Sequence, residues 1–450
     1  MVADLRKDIL QRAERERIKF MRLQFTDILG VIKNVEVPDG QFDEALDGKI
    51  MFDGSSIEGF VRIEESDMYL KPDLGTFQVF PWADPAGPGV PAGSARVGRI
   101  ICDIANPDGT PFAGCPRTTL KRVIAIAAER GLTMKAGPEA EFFLFQRRDG
   151  KPTTETHDAA GYFDLAPMDL GEDVRREIVL ALEQMGFHVE AAHHEVAPGQ
   201  HEIDFRYDDV LATADNVSTF RFVVKNVALH NNLHATFMPK PILGLNGSGM
   251  HTHQSLFRGK QNAFHDDDGQ WQLSETCLHY IGGLLRHAKG FCAVTNPLVN
   301  SYKRLVPGYE APTAIAWSEK NRSPLVRVPA SRGPGTRIEL RMPDPACNPY
   351  LALAVILRAG IDGIDQKIDP GPPVNKNIYK MSHRERRHLR IDDLPASLAE
   401  ALGELEKDEL IRETLGEHIF QHFLEAKREE WDDYIRHVSS WEIDRYLRVY

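Results

Sequence analysis

The stretch GPEAEFFLF, residues 137–145, predicts a β-strand whose side chains alternate between the two faces of a sheet. On that pattern Glu139, Glu141 and Phe143 share one face, so two carboxylates lie side by side. Like charges at this spacing repel each other, which destabilises the strand unless a cation lies between them. The stretch therefore indicates either a cation site or a solvent-exposed edge strand.

A second acidic stretch, HHEVAPGQHEIDF, follows at residues 193–205. Glu195 and Glu202 lie on either side of a Pro-Gly turn, with three histidines beside them. Such a turn can fold both carboxylates to the same side of a hairpin. Taken alone, the stretch is equally compatible with an exposed polar loop.

Two further stretches carry histidine and arginine at strand spacing. In LNGSGMHTHQSLF, residues 245–257, the side chains of His251, His253 and Ser255 face the same way, although a lone strand histidine is more often a plain hydrogen-bonding residue. In GTRIELRMPDP an alternating row of charges has apolar side chains on the opposite face. The members of this row are Arg337, Glu339 and Arg341. The row predicts either a self-neutralised surface ladder or a metal held between two anion-binding arginines.

Together these stretches favour metal-assisted phosphoryl transfer. Five carboxylates and one histidine suit hard cations such as Mg²⁺ or Mn²⁺ in a two-metal site. Arginine side chains, which bind phosphate and carboxylate oxygens, crowd into the same region. These arginines are Arg304, Arg322, Arg327, Arg337 and Arg341. The chain has no phosphate-binding G-x-x-x-x-G-K-[ST] loop, no G-x-G-x-x-G and no G-x-S-x-G, which argues against P-loop, dinucleotide-binding and serine-hydrolase chemistry.

Composition bounds the class of protein further. The 450 residues exceed what one hydrophobic core usually supports, so we expect at least two domains. A net charge of −12 argues against a nucleic-acid-binding surface, and no apolar run approaches the ~18 residues of a membrane span. The five cysteines are odd in number and form no C-x-x-C pair, which favours a reducing cytoplasm.

Hydrophobic periodicity predicts an α+β fold in two parts. Leu5, Ile9 and Ala13 predict a short N-terminal helix, and the alternation at 21–37 predicts a hairpin. We expect a domain boundary near 103–110, after a Pro- and Gly-rich segment. Beyond it, helical patterns alternate with strand-like runs, which predicts helices on an antiparallel or mixed sheet. The last 57 or so residues are mostly helical in pattern.

Six long motifs, in this order along the chain, resemble those of class I glutamine synthetase. The similarity runs from about residue 15 to the C-terminus, and the motifs are FDGSSIEGF, GPEAEFFLF, NGSGMHTH, NSYKRLVPGYEAP, NRSPLVRVP and RIELRMPDPACNPYLA. The resemblance implies a small β-grasp N-terminal domain at 1–104. It also implies a catalytic domain at 105–450, with a curved antiparallel sheet flanked by helices. A dodecamer of two hexameric rings, with each active site between neighbouring subunits, is implied as well.

The resemblance also assigns ligands position by position. It implies that Glu141, Glu195 and Glu202 hold one divalent metal, while Glu139, His251 and Glu339 hold the second. The residues implied to bind ATP are Glu190, Phe205, Arg206, Tyr207, His253, Gln254, Ser255, Arg322, Arg327 and Arg337. Those implied to bind L-glutamate or ammonium, besides His251, are Ser56, Asn246, Gly247, Arg304, Glu310, Arg322 and Arg341.

The implied reaction is ATP-dependent ligation of ammonia to L-glutamate through γ-glutamyl phosphate. Asp53 would bind ammonium and take its proton, and Glu310 would close over the site and shield the intermediate from water. Arg322 is the third residue implied to be catalytic. Asp53 and Ser56 would be supplied by the N-terminal domain of the neighbouring subunit.

Regulation and substrate choice leave alternatives open. The segment SIEGFVRIEESDMYLKPD resembles that of the shorter, alpha-type enzymes, in which Arg62 would mediate feedback inhibition by glutamine. The C-terminal tail is compatible with binding a transcription regulator. One alternative function is a γ-glutamyl ligase for another amine or polyamine, and a second is a non-catalytic regulatory or structural relative.

Overall fold

The computed structural model describes residues 2–55, 57, 67–82, 96–376, 378–389 and 391–450. Two residues with predicted roles, Ser56 and Arg62, lie outside these ranges. In the described part of the chain, no helix combines the length and the apolar character needed to cross a bilayer.

Among the described residues, the N-terminal part is a β-grasp unit with a sheet of six strands. Its elements are α1 (Val2–Arg15), β1 (Ile18–Thr26), β2 (Ile32–Pro38), α2 (Phe42–Leu46), β3 (Met51–Asp53), β4 (Asp67–Pro72), β5 (Gln78–Val79) and β6 (Arg96–Ala105). The strand order is β2-β1-β6-β4-β3, with β5 on β6, and the central strands β1 and β6 run parallel. Ile9 and Ala13 of α1 are buried against this sheet, so the predicted helix and hairpin are both present.

The larger part begins with helices and strands that build the site. These elements are α3 (Pro116–Ala128), β7 (Thr133–Ala140), β8 (Phe142–Arg148), β9 (Lys151–Thr156), α4 (Glu172–Gln184), β10 (Val189–His194), β11 (Gln200–Phe205), β12 (Asp208–Asp209), α5 (Val210–His230), β13 (Leu233–Thr236), β14 (Met250–Arg258) and β15 (Gln261–Asn262).

The remainder is mainly helical. Its elements are α6 (Glu275–Thr295), α7 (Ser301–Arg304), β16 (Ala314–Ile315), β17 (Trp317–Ser318), β18 (Val326–Arg327), β19 (Ile338–Leu340), α8 (Pro349–Asp365), α9 (His383–His388), β20 (Asp392–Asp393), α10 (Leu398–Lys407), α11 (Glu409–Leu415), α12 (Glu417–Arg436) and α13 (Ser440–Tyr446). The helical pattern predicted for the tail is therefore present.

The strands of the larger part form two main sheets that meet at Glu141. One has the order β12-β7-β14-β19-β18-β17, with β15 on β14, and the other has the order β10-β11-β8-β13, with β9 on β8. The prediction of one continuous strand over 137–145 is wrong, because β7 ends at Ala140 and β8 begins at Phe142. The Glu141 N–H donates to the Gly249 carbonyl (3.0 Å), and this bond holds the chain where it passes between the sheets.

Helices cover both sheets. The buried helices α6 and α8 pack together over the seven-stranded sheet, and they approach so closely that a Cβ at Gly283 would lie 2.1 Å from the Ala359 carbonyl oxygen. Helices α4 and α5 cover the five-stranded sheet with a second apolar cluster. The charged ends of the sheets are thereby left open on the side that carries the site.

Buried polar contacts fix the N-terminal unit to the larger one. Asn348 donates its side-chain N–H to the Asp27 carbonyl (2.9 Å), and Arg221 donates to the Gly30 carbonyl (3.1 Å). Arg117 bridges Asp215 at 2.8 Å on one side of the junction and Asp103 at 3.0 Å on the other. The division at residue 104 stays a prediction.

Candidate active site

Strand register brings the first group of charged residues together. In the seven-stranded sheet His251 of β14 lies opposite Glu139 of β7, and His253 lies opposite Glu339 of β19. The His251 Nδ1 atom is 3.5 Å from Glu139 Oε2 and 3.8 Å from Glu339 Oε1. Glu139, His251 and Glu339 therefore offer three ligand atoms within 4.8 Å of one another.

The charges in this first group are balanced by its neighbours. Burial raises the pKa of Glu139, but hydrogen bonds from His251 and His253 outweigh burial and lower it overall. Burial, together with the nearby Arg341, lowers the pKa of His251 to about 4, which leaves the ring neutral and able to donate a lone pair. Neutral imidazole beside two carboxylates is a suitable set of ligands for a divalent cation.

Two arginines hold Glu339 between them. Arg327 Nη1 lies 2.7 Å from Glu339 Oε2, and Arg341 Nη1 lies 2.5 Å from Glu339 Oε1. Burial raises the pKa of Glu339, but His251 and these arginines lower it overall. The alternating row predicted at 337–341 is thus a buried feature of the site rather than a surface ladder.

The second group lies on the hairpin formed by β10 and β11. His193 is paired with Glu202 across the hairpin, and its Nε2 atom lies 3.2 Å from Glu202 Oε1. Its Nδ1 atom lies 3.5 Å from Glu195 Oε1. The Pro-Gly turn does fold both carboxylates to one side, as the sequence predicts, and it brings His193 between them.

Buried side chains behind the hairpin hold it in shape. The Asp158 carboxylate accepts a hydrogen bond from the Gly199 N–H of the turn (2.9 Å), and it lies 3.3 Å from His194 Nε2. His194 Nδ1 in turn lies 2.6 Å from the Glu195 carbonyl oxygen. These contacts fix the backbone of Glu195 and so direct its side chain.

Glu141 completes the second group at the junction of the sheets. Its carboxylate accepts hydrogen bonds from Gln200 Nε2 (2.8 Å) and from the Gly249 N–H (3.1 Å). Burial, followed by the charges of Glu202 and Glu195, raises its pKa well above the usual range. Burial and neighbouring carboxylates likewise raise the pKa of Glu202 to about 10. Carboxylates crowded in this way are stabilised in their charged form only by cations.

Asp204 is a further carboxylate here that the sequence reasoning missed. It lies two residues after Glu202 on β11, and burial, together with Glu139, raises its pKa to about 7. Its Oδ1 atom is buried and has no hydrogen-bond partner among the described residues. The signal was the period-two spacing from Glu202, which places both side chains on one face of the strand.

A cavity of about 280 Å³ opens beside the two groups. Most of the residues predicted to bind ATP line it. These are Glu190, Phe205, Tyr207, His253, Gln254, Ser255 and Arg337. The cavity is also lined by residues that were not predicted, among them Lys135, Gly137 and the segment 334–336. Arg206, Arg322 and Arg327 are not part of this lining: the first two side chains are exposed, and the third is bound to Glu339.

The cavity wall contains a chain of hydrogen bonds that leads to the first group. Arg337 Nε donates to His253 Nδ1 (3.2 Å), which leaves the Nε2–H of His253 to donate to Glu139 Oε1 (2.7 Å). Gln254 differs from its neighbours, because its side chain is buried on the opposite face of β14 and accepts a hydrogen bond from Tyr280 (2.5 Å). The Gln254 side chain is thus bound on the face of β14 away from the cavity, and its predicted role in nucleotide binding stays a prediction.

A second cavity lies next to the hairpin. Five of the residues predicted to bind glutamate or ammonium line it, together with Glu141, Glu195 and Tyr309. The five are Asn246, Gly247, His251, Arg304 and Glu310. Arg304 is buried and donates to the carbonyls of Met342 (2.8 Å) and Arg341 (3.1 Å), which holds its guanidinium at the cavity wall. Arg341 itself points to Glu339 rather than into this cavity.

Glycine is required at position 247 for this cavity to form. A Cβ there would lie 2.3 Å from the Pro239 carbonyl oxygen and 3.2 Å from Arg304 Cγ. The backbone of the Gly-rich turn can therefore approach Arg304 only without a side chain at this position.

Asp53 lies apart from both cavities of its own chain. It ends β3, which is an edge strand of the N-terminal sheet as far as the described residues form it, and its exposed carboxylate accepts hydrogen bonds from the N–H (2.8 Å) and the hydroxyl (2.7 Å) of Ser55. These bonds lower its pKa. Neither cavity includes Asp53 in its lining.

Tyr162 is an aromatic residue near the second group that the sequence reasoning did not identify. It stacks on Phe163 (ring centroids 3.9 Å apart), and both rings contact His193 edge-on. Burial and the charges of Glu195 and Glu202 raise its pKa. Two exposed aromatic residues in a loop between β9 and α4 were the available signal.

Crowded carboxylates with arginines beside a cavity are the arrangement that metal-dependent phosphoryl-transfer enzymes use. Sequence profiles for the glutamine synthetase beta-grasp domain and for the glutamine synthetase catalytic domain match residues 17–107 and 113–446. The glutamine synthetase of Thermus thermophilus is 62% identical over 447 residues, which cover 98% of this chain and 99% of the relative. The chain belongs to the glutamine synthetase family.

Solved structures agree with this assignment. A complex of GmaS with ADP is 36% identical, with a TM-score of 0.88, and the match covers 98% of this chain and 99% of the other. A Plasmodium falciparum glutamine synthetase is 27% identical, with a TM-score of 0.86, and covers 99% of this chain and 98% of its own. The protein is a glutamate–ammonia ligase, which joins ammonia to L-glutamate at the expense of ATP, and its family uses divalent metal ions. The fold prediction is confirmed.

Proposed function

We propose that the reaction proceeds through γ-glutamyl phosphate, between two divalent cation sites occupied by Mg²⁺ or Mn²⁺. The observation that carries this proposal is the crowding of buried carboxylates whose pKa values are raised, because such groups need cations to ionise. Glu141, Glu195 and Glu202 would hold one ion. Glu139, His251 and Glu339 would hold the other.

The cavity beside the first group is the proposed ATP site. Phe205 and Tyr207 offer apolar surface, Ser255 and Glu190 offer hydrogen bonds, and Arg337 with His253 offers charge close to Glu139. Arg206, Arg322 and Arg327 reach the nucleotide only if their side chains turn toward it, and Gln254 contributes through its main chain. When bound, the two ions would neutralise the negative charge on the phosphates.

The second cavity is the proposed glutamate site. Arg304 and the backbone at Asn246 and Gly247 would position the amino acid so that its γ-carboxylate oxygen attacks the γ-phosphorus of ATP. Arg341 would reach the amino acid only if its guanidinium turned away from Glu339. The bond from that phosphorus to the β,γ-bridging oxygen breaks, and ADP leaves. Buried arginine side chains hold the substrate glutamate so that its γ-carboxylate is in line for this attack.

The second half-reaction needs ammonia and the exclusion of water. Asp53, with Ser56, would bind ammonium and accept one proton, after which ammonia attacks the γ-carbonyl carbon. The bond from that carbon to the phosphate oxygen breaks, phosphate leaves, and Glu310 accepts the second proton. Glu310 would also cover the intermediate so that ammonia, rather than water, reaches it. Arg322, on the neighbouring loop, would neutralise the departing phosphate.

We propose that each site is shared by two subunits of a dodecamer built from two hexameric rings. Asp53 supports this, because it is exposed at the edge strand β3 and lies outside both cavities of its own chain. An exposed sheet edge can approach a neighbouring subunit, whereas a buried one cannot. The N-terminal domain (1–104) would then supply Asp53 to the catalytic domain (105–450) of its neighbour.

Regulation and location are proposed as well. Similarity to alpha-type enzymes supports glutamine feedback through Arg62, and the exposed apolar side chains of α13 support contact of the tail with a transcription regulator. The five cysteines are free thiols, all of them buried, which supports a reducing cytoplasm.

Mixed oligomers test both the residue roles and the shared site. Two chains with different tags, one carrying Asp53→Asn and the other Glu339→Gln, are produced separately and together. Each single variant should lose most glutamine formation while keeping the native particle mass. If two subunits share a site, random co-assembly should restore about a quarter of the wild-type rate, because one site in four then combines intact Asp53 with intact Glu339.

The contradicting results are equally distinct. No recovery in purified mixed particles would mean that Asp53 acts within its own chain or at no site at all. Full activity in the Glu339→Gln variant alone would remove Glu339 from the metal site.

A further inference from the structure

The loop that carries Glu310 contacts a buried lysine. Residues 306–311 form turns and bends, without helix or strand, between α7 and β16. Tyr309 and Glu310 both line the glutamate cavity. Lys240 places its Nζ atom 3.6 Å from the centroid of the Tyr309 ring, which is a close cation–π contact.

Lys240 is itself held firmly. Its Nζ atom donates to the Leu245 carbonyl, at the start of the Gly-rich turn, and the side chain is only 8% exposed. Its backbone is fixed on both sides by Asn300, which accepts from the Lys240 N–H (2.7 Å) and donates to the Lys240 carbonyl (3.0 Å). The lysine is therefore fixed in place and connects the turn at 245–249 to the loop at 306–311.

We propose that Lys240 is a positioning residue that latches the 306–311 loop over the glutamate cavity through the Tyr309 ring. The inference rests on the proposed role of Glu310 and deepens it. With the latch in place, Glu310 is held in the lining of the glutamate cavity, which Glu195 and Arg304 also line. Lys240 does not line either cavity, so it acts through the loop rather than on the substrates.

Loss of the latch should admit water. Water would attack the γ-carbonyl carbon of γ-glutamyl phosphate, the bond from that carbon to the phosphate oxygen would break, and glutamate and phosphate would form. The net reaction is then hydrolysis of ATP to ADP and phosphate. The diagnostic quantity is the ratio of phosphate released to glutamine formed, which is one when ligation is fully coupled.

The test uses Lys240→Met, which keeps the length of the side chain and removes its charge. Loss of a desolvated cation–π contact should shift the closed-to-open ratio of the loop by about five- to thirtyfold. We expect the phosphate-to-glutamine ratio at saturating substrates to rise at least twofold, with the KM for ATP unchanged. A fall in both products at a constant ratio would mean that Lys240 is merely structural, and it would overturn the proposal.

Matched variants test whether the change in the ratio depends on the contact between Lys240 and the Tyr309 ring. Tyr309→Phe keeps the ring and Tyr309→Leu removes it, so the Leu variant should be the more uncoupled of the two. Lys225→Met removes an exposed lysine whose Nζ lies 5.9 Å from the Phe237 ring centroid and which lines neither cavity, so it should leave the ratio at one. Equal ratios in the two Tyr309 variants would contradict the latch.

The Glu310→Ala variant distinguishes the latch formed by Lys240 from the proposed shielding role of Glu310. If Glu310→Ala is uncoupled and Lys240→Met is not, the latch is wrong while the proposed role of Glu310 stands. If Glu310→Ala is also fully coupled, the shielding role itself is wrong.

Discussion

At the residue scale, Glu202 carries a conflict between stability and function. Its carboxyl group is buried beside other carboxylates, and its pKa is raised to about 10. The neutral, protonated form is therefore favoured in the folded chain at neutral pH, whereas an unfolded glutamate has an ordinary pKa of about 4.3 and is ionised. Folding must take up a proton at this position, and this costs free energy unless a cation is bound.

We predict that Glu202→Gln unfolds with a free energy about 1–3 kcal/mol higher than the wild type in EDTA at pH 8. A group with a raised folded pKa contributes its full stability below the unfolded pKa and loses it as pH rises toward the folded pKa. The advantage of the variant should therefore be absent below about pH 4 and grow between there and pH 10. Chemical denaturation at several pH values measures it.

Added Mn²⁺ should make the wild type more stable than Glu202→Gln, because the wild type gains stability from the ion and the variant gains less. Glu183→Gln, at an exposed position of α4, serves as the control. It should change neither the free energy of unfolding in EDTA nor the stability gained from Mn²⁺. A Glu202→Gln variant that is less stable than the wild type in EDTA would show that Glu202 is not under electrostatic strain.

The sequence predicts many of these residues for a simple physical reason. Alternation at period two in β14 places His251, His253 and Ser255 on one face, and the structure has the same alternation. The sequence could not reveal the contact of His193 with Glu195 and Glu202, because that contact depends on which strand pairs with β10. The position of the Arg304 guanidinium likewise depends on the Met342 and Arg341 carbonyls, which come from a separate segment of the chain.

At the element scale, the start of α8 joins the two domains. The Asn348 side chain accepts from the N–H groups of Tyr350 (3.1 Å) and Leu351 (3.3 Å), which caps the helix. The same side chain donates to the carbonyls of Asp27 (2.9 Å) and Ile28 (3.3 Å) in the N-terminal hairpin. One buried amide thus both starts a core helix and positions the domain that carries Asp53.

We predict that Asn348→Ala lowers the free energy of unfolding by about 2–4 kcal/mol, since it removes a helix cap and the side-chain hydrogen bonds to the Asp27 and Ile28 carbonyls. Asn348→Asp should lose at least as much, because its carboxylate keeps the cap but buries a negative charge against the Asp27 and Ile28 carbonyl oxygens. Thermal and urea denaturation compare the three proteins. Wild-type stability in the Ala variant would contradict the bridging role.

Some helices could be predicted from the sequence, whereas the break between two of the strands could not. The amphipathic helices α3, α4 and α6 follow directly from their apolar spacing. The break between β7 and β8 was not predictable, because 137–145 has one continuous strand-like pattern and only the pairing of Glu141 with Gly249 interrupts it. Local propensity cannot show where a chain leaves one sheet for another.

At the scale of the whole molecule, the cavities proposed to bind nucleotide and amino acid, and the proposed metal ligands beside them, lie within one chain, while Asp53 lies outside both cavity linings. Motif order along the sequence predicts the β-grasp and catalytic parts, and both are present. Hydrophobic patterning does not predict how the parts are joined. That depends on buried charges such as Arg117 and Asp215, whose partners are distant in sequence.

The most direct test measures glutamine, ADP and phosphate formed from ATP, L-glutamate and Mg²⁺ with ammonium as the amine. A panel of alkylamines and polyamines is assayed in parallel, each with and without added glutamine. We predict fast turnover that requires ammonium, with the three products formed in equal amounts. Turnover only with larger amines, or no amide product with any amine, would contradict glutamine synthesis at this site.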